Sequence, residues 1–286
     1  MGADEPGRFR QALRQLLKSR TATFGLAVVL AFLLVALFAP LLTPHPPDAQ
    51  LPGKHLAPSG GEHLLGTDDL GRDLLSRLIA GARVSLRVAV MSVAISLVCG
   101  VALGATAGWF GGWWDQLTMR AIDVLMAFPS VLLAVAVVAI LGPSLTNVMI
   151  SVGIVGIPVF TRQVRAEVLR LRSADYVLAS RALGAGSAWL LIRVVLPNSL
   201  GPIIVLATLG TGSAILDSAG LNFLGLGAET GTPEWGMMLK ESQEHFFSAP
   251  RVVIAPGLAI ALVVLGFNLL GDGLRDLLDP KGRHRR

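Results

Sequence analysis

The stretch YVLASRALGAGSAWLLIRVVLPN, residues 176–198, lies between two apolar segments and decides how the chain is organised. It contains two runs of helix-forming residues, which are separated by Gly184 and Gly186 and followed by Pro197. Its cations and small residues distinguish it from the apolar sequence on either side. The stretch therefore predicts a structured loop that lies outside the two apolar segments.

Helix signals divide this loop into two short helices. Ser173 can cap the first helix, and Gly184 suits the left-handed position that ends it. Ser187 can cap a second helix that runs to Leu196, and Pro197 stops that helix or starts the next apolar segment. Two short helices with a glycine break between them predict a protruding elbow with small residues near its tip.

Apolar residues dominate the whole chain. Of its 286 residues, 53% are hydrophobic and 15% are charged, and the mean hydropathy is +0.65. Soluble domains have roughly 25% charged residues. A helix of about 20 residues crosses the hydrocarbon core of a bilayer. Six apolar segments are candidates for such helices: residues 24–42, 84–110, 117–141, 144–164, 199–227 and 252–274. We therefore predict an all-α, polytopic membrane protein with six transmembrane helices.

The positive charges predict how these segments are oriented. Five cations precede the first apolar segment, so the N-terminus is predicted to stay in the cytoplasm. With six spans the C-terminus is also cytoplasmic, and the cytoplasmic segments hold 17 of the 24 Lys and Arg residues. The formal charge of +5 then reflects orientation in the bilayer. No basic patch alternates with aromatic residues, so nucleic-acid binding is not predicted.

The chain divides along the same segments. Residues 1–22 are a basic lead-in whose apolar residues recur at helical spacing, which predicts an interfacial helix on the inner leaflet. A disordered tail that follows the positive-inside rule is the alternative for the first ten residues. The first span and an external loop occupy residues 23–83. A transmembrane core follows over residues 84–275 and contains the cytoplasmic loop 165–198. Residues 276–286 form a basic cytoplasmic tail.

The external loop is predicted to end in a short amphipathic helix on the outer surface. Thr67 can cap this helix, with Asp68 and Asp69 in its first turn. One face then carries apolar residues at helical spacing: Leu70, Leu74, Leu78 and Ile79.

Two features within the spans are candidates for packing or transport. Gly100, Gly104 and Gly108 recur every four residues, which predicts a face where another helix approaches closely. Asp217 and Ser218 are candidate pore residues, because an ionisable group in lipid such as Asp217 normally faces the bundle interior, a water path or a partner.

The sequence lacks the starting residues of the common catalytic sites. There is no phosphate-binding loop of the G-x-x-x-x-G-K-[ST] type, no G-x-S-x-G elbow and no H-E-x-x-H pair. His45, His55 and His63 lie in a loop rich in Pro and Gly, at spacings with no metal-site signature. We predict no catalytic residue, no metal and no cofactor bound by this chain.

The elbow resembles the cytoplasmic EAA loop of ABC importer permeases, in which E-A-A is followed by three residues, G, nine residues and I-x-L-P. Leu178, Ala179 and Ser180 stand at the E-A-A positions, and Gly184 follows at the same interval. The motif ends with Val194 and then with Leu196, Pro197 and Asn198. Leu178 replaces the Glu of the motif, so docking here is expected to rely on shape and apolar packing.

Further blocks resemble the dipeptide, oligopeptide and nickel permease group, specifically its C-type subunit, within the type I ABC importer fold. They are GTDDLGRDLLSRLIAGARVSL, AGWFGGWWDQLTMRAIDVLMAFP, LNFLGLG, PEWGMML and FNLLGDGLRDLLDP. Ser218 stands where relatives often carry Glu just before the FLGLG run. Together these blocks cover nearly the whole chain.

The resemblance implies a non-catalytic half of a peptide-translocation pore in the prokaryotic inner membrane. The implied partners are a homologous second permease, two cytoplasmic ATPases that bind ATP and Mg, and an external substrate-binding protein. The elbow then acts as a coupling helix seated on an ATPase. The residues expected at that contact are Tyr176, Val177, Leu178, Ala179, Ser180, Arg181, Ala182, Leu183, Gly184 and Ala185.

Other interpretations remain open at this point. The residues alone also fit an ordinary interfacial loop in place of a docking elbow. A nickel permease shares the same motifs, although no His or Met cluster in the spans favours a metal path. A secondary transporter driven by an ion gradient is the alternative from another class, and it would be expected to carry several buried charges and an internal repeat.

Overall fold

A computed structural model describes residues 19–278, and that part of the chain folds almost entirely into helices. Its only β-pairing is two isolated bridges in the loop after the first helix. The helices are α1 (Arg20–Leu42), α2 (Leu74–Phe110), α3 (Gly112–Met126), α4 (Ser130–Leu141), α5 (Leu145–Arg172), α6 (Asp175–Ala182), α7 (Ser187–Phe223), α8 (Trp235–Ser242) and α9 (Arg251–Leu278).

Five of these helices, α1, α2, α5, α7 and α9, are long and apolar enough to cross a membrane. Helices α3 and α4 meet that test only together, and they are bent by 93° at the break between them. The prediction of one uninterrupted helix over residues 117–141 is therefore wrong. Phe128 precedes Pro129, and a residue before proline avoids the helical conformation, so the chain turns there.

The contact between α2 and α5 shows that α3 and α4 together make one crossing. Three glycines of α2 lie against α5 in the same order along both helices: Gly100 against Phe160, Gly104 against Thr161 and Gly108 against Arg165. The two helices thus run in the same direction, and the chain must return across the membrane once between them. The six crossings agree with the predicted fold class.

The first and last helices lie side by side and run in opposite directions. Ala22, near the start of α1, lies against Gly273, near the end of α9. A Cβ on Gly25 would come within 2.9 Å of the carbonyl oxygen of Gly266. Both ends of the described chain therefore lie on the same side of the bundle.

Helix α2 begins earlier than the apolar pattern predicts. Its N-cap is Asp73, whose carboxylate accepts a hydrogen bond of 2.8 Å from the amide of Ser76. Thr67 caps no helix, because its hydroxyl accepts from the Ala57 amide and donates to the Lys54 carbonyl. The predicted short amphipathic helix is wrong as a separate element, since its second half forms the first turns of α2.

Helix α7 passes through Pro197 without a break. The stretch Leu190–Val195 is π-helical, and the amide of Leu196 bonds to the carbonyl of Leu191, five residues earlier. Proline has no amide to donate and clashes with the carbonyl four residues before it. The wider turn before Pro197 changes that pairing, so the second helix does not end at Leu196. Pro197 lies in the first turn of the α-helical stretch Leu196–Phe223, in agreement with the alternative prediction that it starts the next apolar segment.

Helix α8 has no counterpart among the predicted elements. Its N-cap is the buried Glu234, which accepts hydrogen bonds from the Met237 amide at 2.8 Å and from the Ser85 hydroxyl at 2.9 Å. Burial raises the pKa of the Glu234 carboxyl above its usual value. The fully buried Trp235 packs beside it and donates from its indole N–H to the Leu78 carbonyl. These contacts hold α8 against α2.

Parts of both predicted terminal segments lie outside the described residues. Of the basic lead-in, only Ser19 onward is described, and the tail is described only to Leu278. The interfacial helix over residues 1–22 therefore stays a prediction.

Candidate functional site: the elbow and the helix break

The elbow begins immediately after α5 ends. Ser173 is the C-cap of α5, and its hydroxyl donates to the carbonyl of Arg170 at 3.0 Å. The N-cap of α6 is Ala174, which offers no side-chain hydrogen bond. The prediction that Ser173 caps the first elbow helix is therefore wrong: its hydroxyl turns back to the preceding helix.

Gly184 ends α6 in a backbone conformation that other residues adopt with strain. Its φ is +90°. Its amide bonds to the carbonyl of Arg181 at 3.0 Å, and the amide of Ala185 bonds to the carbonyl of Ser180 at 3.1 Å. The second bond spans five residues, as in a glycine-terminated Schellman turn. The chain thus reverses tightly before it enters α7.

One side of the elbow presents apolar and small side chains to the outside. We call this set the elbow surface, and its members are Tyr176, Leu178, Ala179, Ala182 and Leu183. Leu183 is the most prominent of them, with 89% of its surface exposed. Such an exposed apolar set favours contact with another protein.

The predicted contact residues do not all share this exposure. Val177 is fully buried and packs into the chain. The hydroxyl of Ser180 donates to the Tyr176 carbonyl, so it is already satisfied within the helix. Ala185 is half-buried. At the motif end, Leu196, Pro197 and Asn198 lie inside α7, away from the turn.

The elbow is attached to the end of α2 through Trp109. Val177 belongs to the same buried cluster as Trp109 and Val168. The guanidinium of Arg181 lies over the Trp109 ring, 5.1 Å from its centroid. Arg172 donates to the Trp109 carbonyl at 2.9 Å. A displacement of the elbow therefore displaces the ends of α2 and α5 with it.

An ion pair links α3 to α5 a few turns from the elbow. Arg165 donates to both carboxylate oxygens of Asp115, at 2.5 and 2.6 Å. This fork-to-fork pairing fixes both distance and direction. Asp123 and Arg162 form a second, more exposed pair between the same helices at 2.6 Å. The first half of the broken span is thus fastened to the helix that leads into the elbow.

The broken span forms one wall of a cavity of about 330 Å³ that also contacts α5 and α7. Its lining residues include Ser130 at the start of α4 and Val152 on α5. Asp217 is the one ionisable residue among the described residues that line it. Ser218 is buried and is not part of the lining; its hydroxyl donates to the Ile215 carbonyl of its own helix at 3.1 Å.

Comparison with known proteins identifies the family of the chain. Residues 100–284 match the family model described as binding-protein-dependent transport system inner membrane component. The chain belongs to this family. Residues 7–58 match a second model, the N-terminal TM domain of oligopeptide transport permease C. The elbow and the broken span both lie within the part that the inner membrane component model covers.

Characterised permeases of this kind are similar over nearly their whole length. A dipeptide transport system permease protein DppC from Alkalihalophilus pseudofirmus is 50% identical over 273 residues, which cover 96% of this chain and 90% of that protein. DppC from Escherichia coli K12 is 52% identical over 270 residues, with 92% and 90% covered. A glutathione transport system permease protein GsiD from Salmonella typhimurium is 46% identical over 276 residues, with 96% and 90% covered.

Proposed function

We propose that this chain is a permease subunit of an ATP-driven importer and forms half of a translocation pore for dipeptides or oligopeptides. The observation that carries the proposal is the elbow surface, an exposed apolar set on a short helix between two membrane spans. The named substrates of the similar permeases, dipeptides and the tripeptide glutathione, support peptides over nickel. The multi-pass helical fold agrees with the permease role.

Four kinds of partner complete the proposed transporter. A homologous second permease forms the other half of the pore, and two cytoplasmic ATPases bind ATP and Mg and hydrolyse the nucleotide. An external protein captures the substrate. The chain itself binds no cofactor and catalyses no reaction in this proposal. It resides in the inner membrane with both termini in the cytoplasm, as the distribution of Lys and Arg indicates.

The proposed mechanism is a shift between two packed states. When the ATPases close on ATP, the elbow surface moves with them. Its attachment to Trp109 carries this motion to α2 and α5. Since α5 is also tied to α3 through Arg165, the broken span moves as well. The ATPases can drive the shift only if they bind the elbow differently in the two states.

Uptake by reconstituted vesicles tests this function. The chain is assembled with its second permease, ATPases and external binding protein, and ATP is supplied on the cytoplasmic side. We expect accumulation of a labelled dipeptide that requires both ATP and the external protein. Accumulation of nickel but not of peptide would contradict the peptide proposal. Uptake driven by an ion gradient without ATP would contradict the importer class.

We propose that Asp217 contacts the substrate in the cavity beside the broken span. Asp217→Asn removes the only charge of the described lining, so it should raise the KM for peptide uptake severalfold. Glu244→Gln is the control, because its carboxylate is exposed and lies outside the cavity. Initial uptake rates at several peptide concentrations give the KM of each variant. Equal KM values for Asp217→Asn and the wild type would contradict the contact.

A further inference from the structure

Three groups that are separated along the external loop come together where α2 begins. They are the imidazoles of His45 and His63 and the carboxylate of Asp73. His63 and Asp73 are buried, and His45 is half-buried. The sequence predicts no metal here, because His45, His55 and His63 are ten and eight residues apart, a spacing with no metal-site signature. The folded loop makes that spacing irrelevant.

The distances within this cluster come close to those between ligands of one ion. Nδ1 of His63 lies 2.9 Å from Oδ1 of Asp73. The two imidazole rings lie 4.9 Å apart between centroids. One ligand atom from each of the three residues lies within 4.8 Å of the others. Ligand atoms around a tetrahedral zinc ion are about 3.3 Å apart, given bonds of about 2.0 Å. A small inward movement of His45 therefore completes three corners of a tetrahedron.

Hydrogen bonds from the surrounding structure hold two of the groups in place. Asp73 accepts from the Ser76 amide at 2.8 Å through its second oxygen, so Oδ1 stays directed at His63. The amide of His45 donates to the Ser76 hydroxyl at 3.0 Å, which fixes its backbone beside the same helical turn. Supporting contacts of this kind orient the ligands of metal sites in proteins.

The donor set selects the class of ion. Two imidazole nitrogens and one carboxylate oxygen suit zinc, which binds three such ligands and keeps a water in the fourth position. Magnesium and calcium prefer sites made of oxygen ligands. Zinc binding through Nδ1 of His63 needs the neutral imidazole with its proton on Nε2, so the hydrogen bond between Nδ1 and Asp73 is replaced by bonds from both groups to the ion.

Lys54 is the charged group that opposes a cation at this position. Its ammonium lies 3.5 Å from Nε2 of His63 and 3.5 Å from the carboxylate of Glu62. With 45% of its side chain exposed, Lys54 can turn into solvent when an ion enters. Glu62 is more exposed still, and His45 reaches its backbone carbonyl at 2.9 Å.

From this geometry we infer that His45, His63 and Asp73 bind a zinc ion on the external face of the permease. The ion joins the beginning, the middle and the end of the external loop at the first turn of α2. Because it binds only the folded loop, it stabilises the external face according to its concentration and affinity.

Zinc titration of the assembled transporter tests this site. The transporter is purified through a tag without histidines, treated with a chelator and titrated with Zn²⁺ against a chromophoric competitor. We expect one zinc ion per copy of this chain and a rise in melting temperature on addition of zinc. His45→Ala, at the half-buried position, should weaken binding about tenfold or more and abolish the rise.

Two further variants separate the site from incidental zinc binding. Lys54→Met should tighten binding severalfold, because it removes the opposing charge. His55→Ala should leave binding unchanged, since its Nδ1 contacts the Asp69 carbonyl elsewhere in the same loop. His63→Gln, which retains a polar group for Asp73, should weaken binding as His45→Ala does.

Several results would overturn the inference. The site is absent if the wild type retains no zinc, or if His45→Ala and His63→Gln bind it as the wild type does. The inference also fails if Mg²⁺ competes with Zn²⁺ equally well, or if His55→Ala weakens zinc binding as much as His45→Ala does. Either result would show nonspecific attraction of cations to the loop. Peptide uptake without zinc leaves the permease function intact, so the two proposals fail separately.

Discussion

Ala182→Trp should reduce peptide uptake by the reconstituted transporter about tenfold or more while the permease still assembles. Ala182 is exposed on the elbow surface, so a large side chain there meets no other part of this chain. Small residues at the tip are expected to let the ATPase approach the backbone closely. An indole at this position should therefore hold the two proteins apart.

Peptide uptake and ATP hydrolysis are measured on the same vesicles. We expect uptake to fall further than hydrolysis, because the ATPases keep their own catalytic sites while losing their mechanical connection. Ala182→Ser is the control, since it preserves the small size and should behave as the wild type does. Wild-type values of both activities in Ala182→Trp would show that this surface does not seat the ATPase.

Gly104→Ala should destabilise the permease by about 1–3 kcal/mol, because a single added methyl group meets backbone at a close helix contact. A Cβ at this position would overlap the carbonyl oxygen of Thr161 and lie 3.0 Å from the amide of Arg165. Backbone atoms of a packed helix cannot turn aside as a side chain can. Helices α2 and α5 would therefore have to separate.

Thermal unfolding in detergent measures this effect as a lower melting temperature. Gly210→Ala is the matched control, because its nearest neighbour would be Cζ of Phe160 at 3.6 Å, an ordinary contact distance. Alanine is also the better helix former, so the control should be neutral or slightly stabilising. An equal loss of stability in both variants would show that α2 and α5 do not depend on this close approach.

Several features of the fold could be predicted from single residues and their spacing. Six apolar segments predict six crossings, since segment length is set by the bilayer. The four-residue spacing of Gly100, Gly104 and Gly108 places them on one face of α2, whichever helix packs against that face. Gly184 predicts a tight helix end from the backbone freedom of glycine alone.

The features that could not be predicted depend on which of two local backbone conformations or hydrogen bonds the neighbouring residues favour. Pro129 lies inside an apolar run, and the pattern does not show that the chain turns by 93° there. Pro197 predicts a helix end, but the π-helical turn before it lets α7 continue. Ser173 is predicted to cap the following helix, but its hydroxyl donates to the Arg170 carbonyl of the preceding helix.

Parts of the candidate sites were missed because they exist only in three dimensions. His45 and His63 belong to an irregular loop, and only the folded loop places them beside Asp73. Trp109 is one apolar residue among many until Arg181 lies over its ring. Sequence spacing predicts contacts within a helix, whereas the contacts in the two candidate sites join different segments of the chain.

The π-helical stretch Leu190–Val195 lies between the elbow and the rest of α7. A π-turn takes up one residue more than the α-helical turn it replaces, and successive residues of an α-helix differ by about 100° around its axis. Because the wider turn absorbs the extra residue, loss of one residue from this stretch would restore regular winding without rotating the elbow relative to the rest of α7. Loss of one residue from a regular α-helical turn would instead rotate the elbow by about 100°. In the proposed docking, the direction from which an ATPase meets the elbow is therefore insensitive to a change of one residue in this stretch.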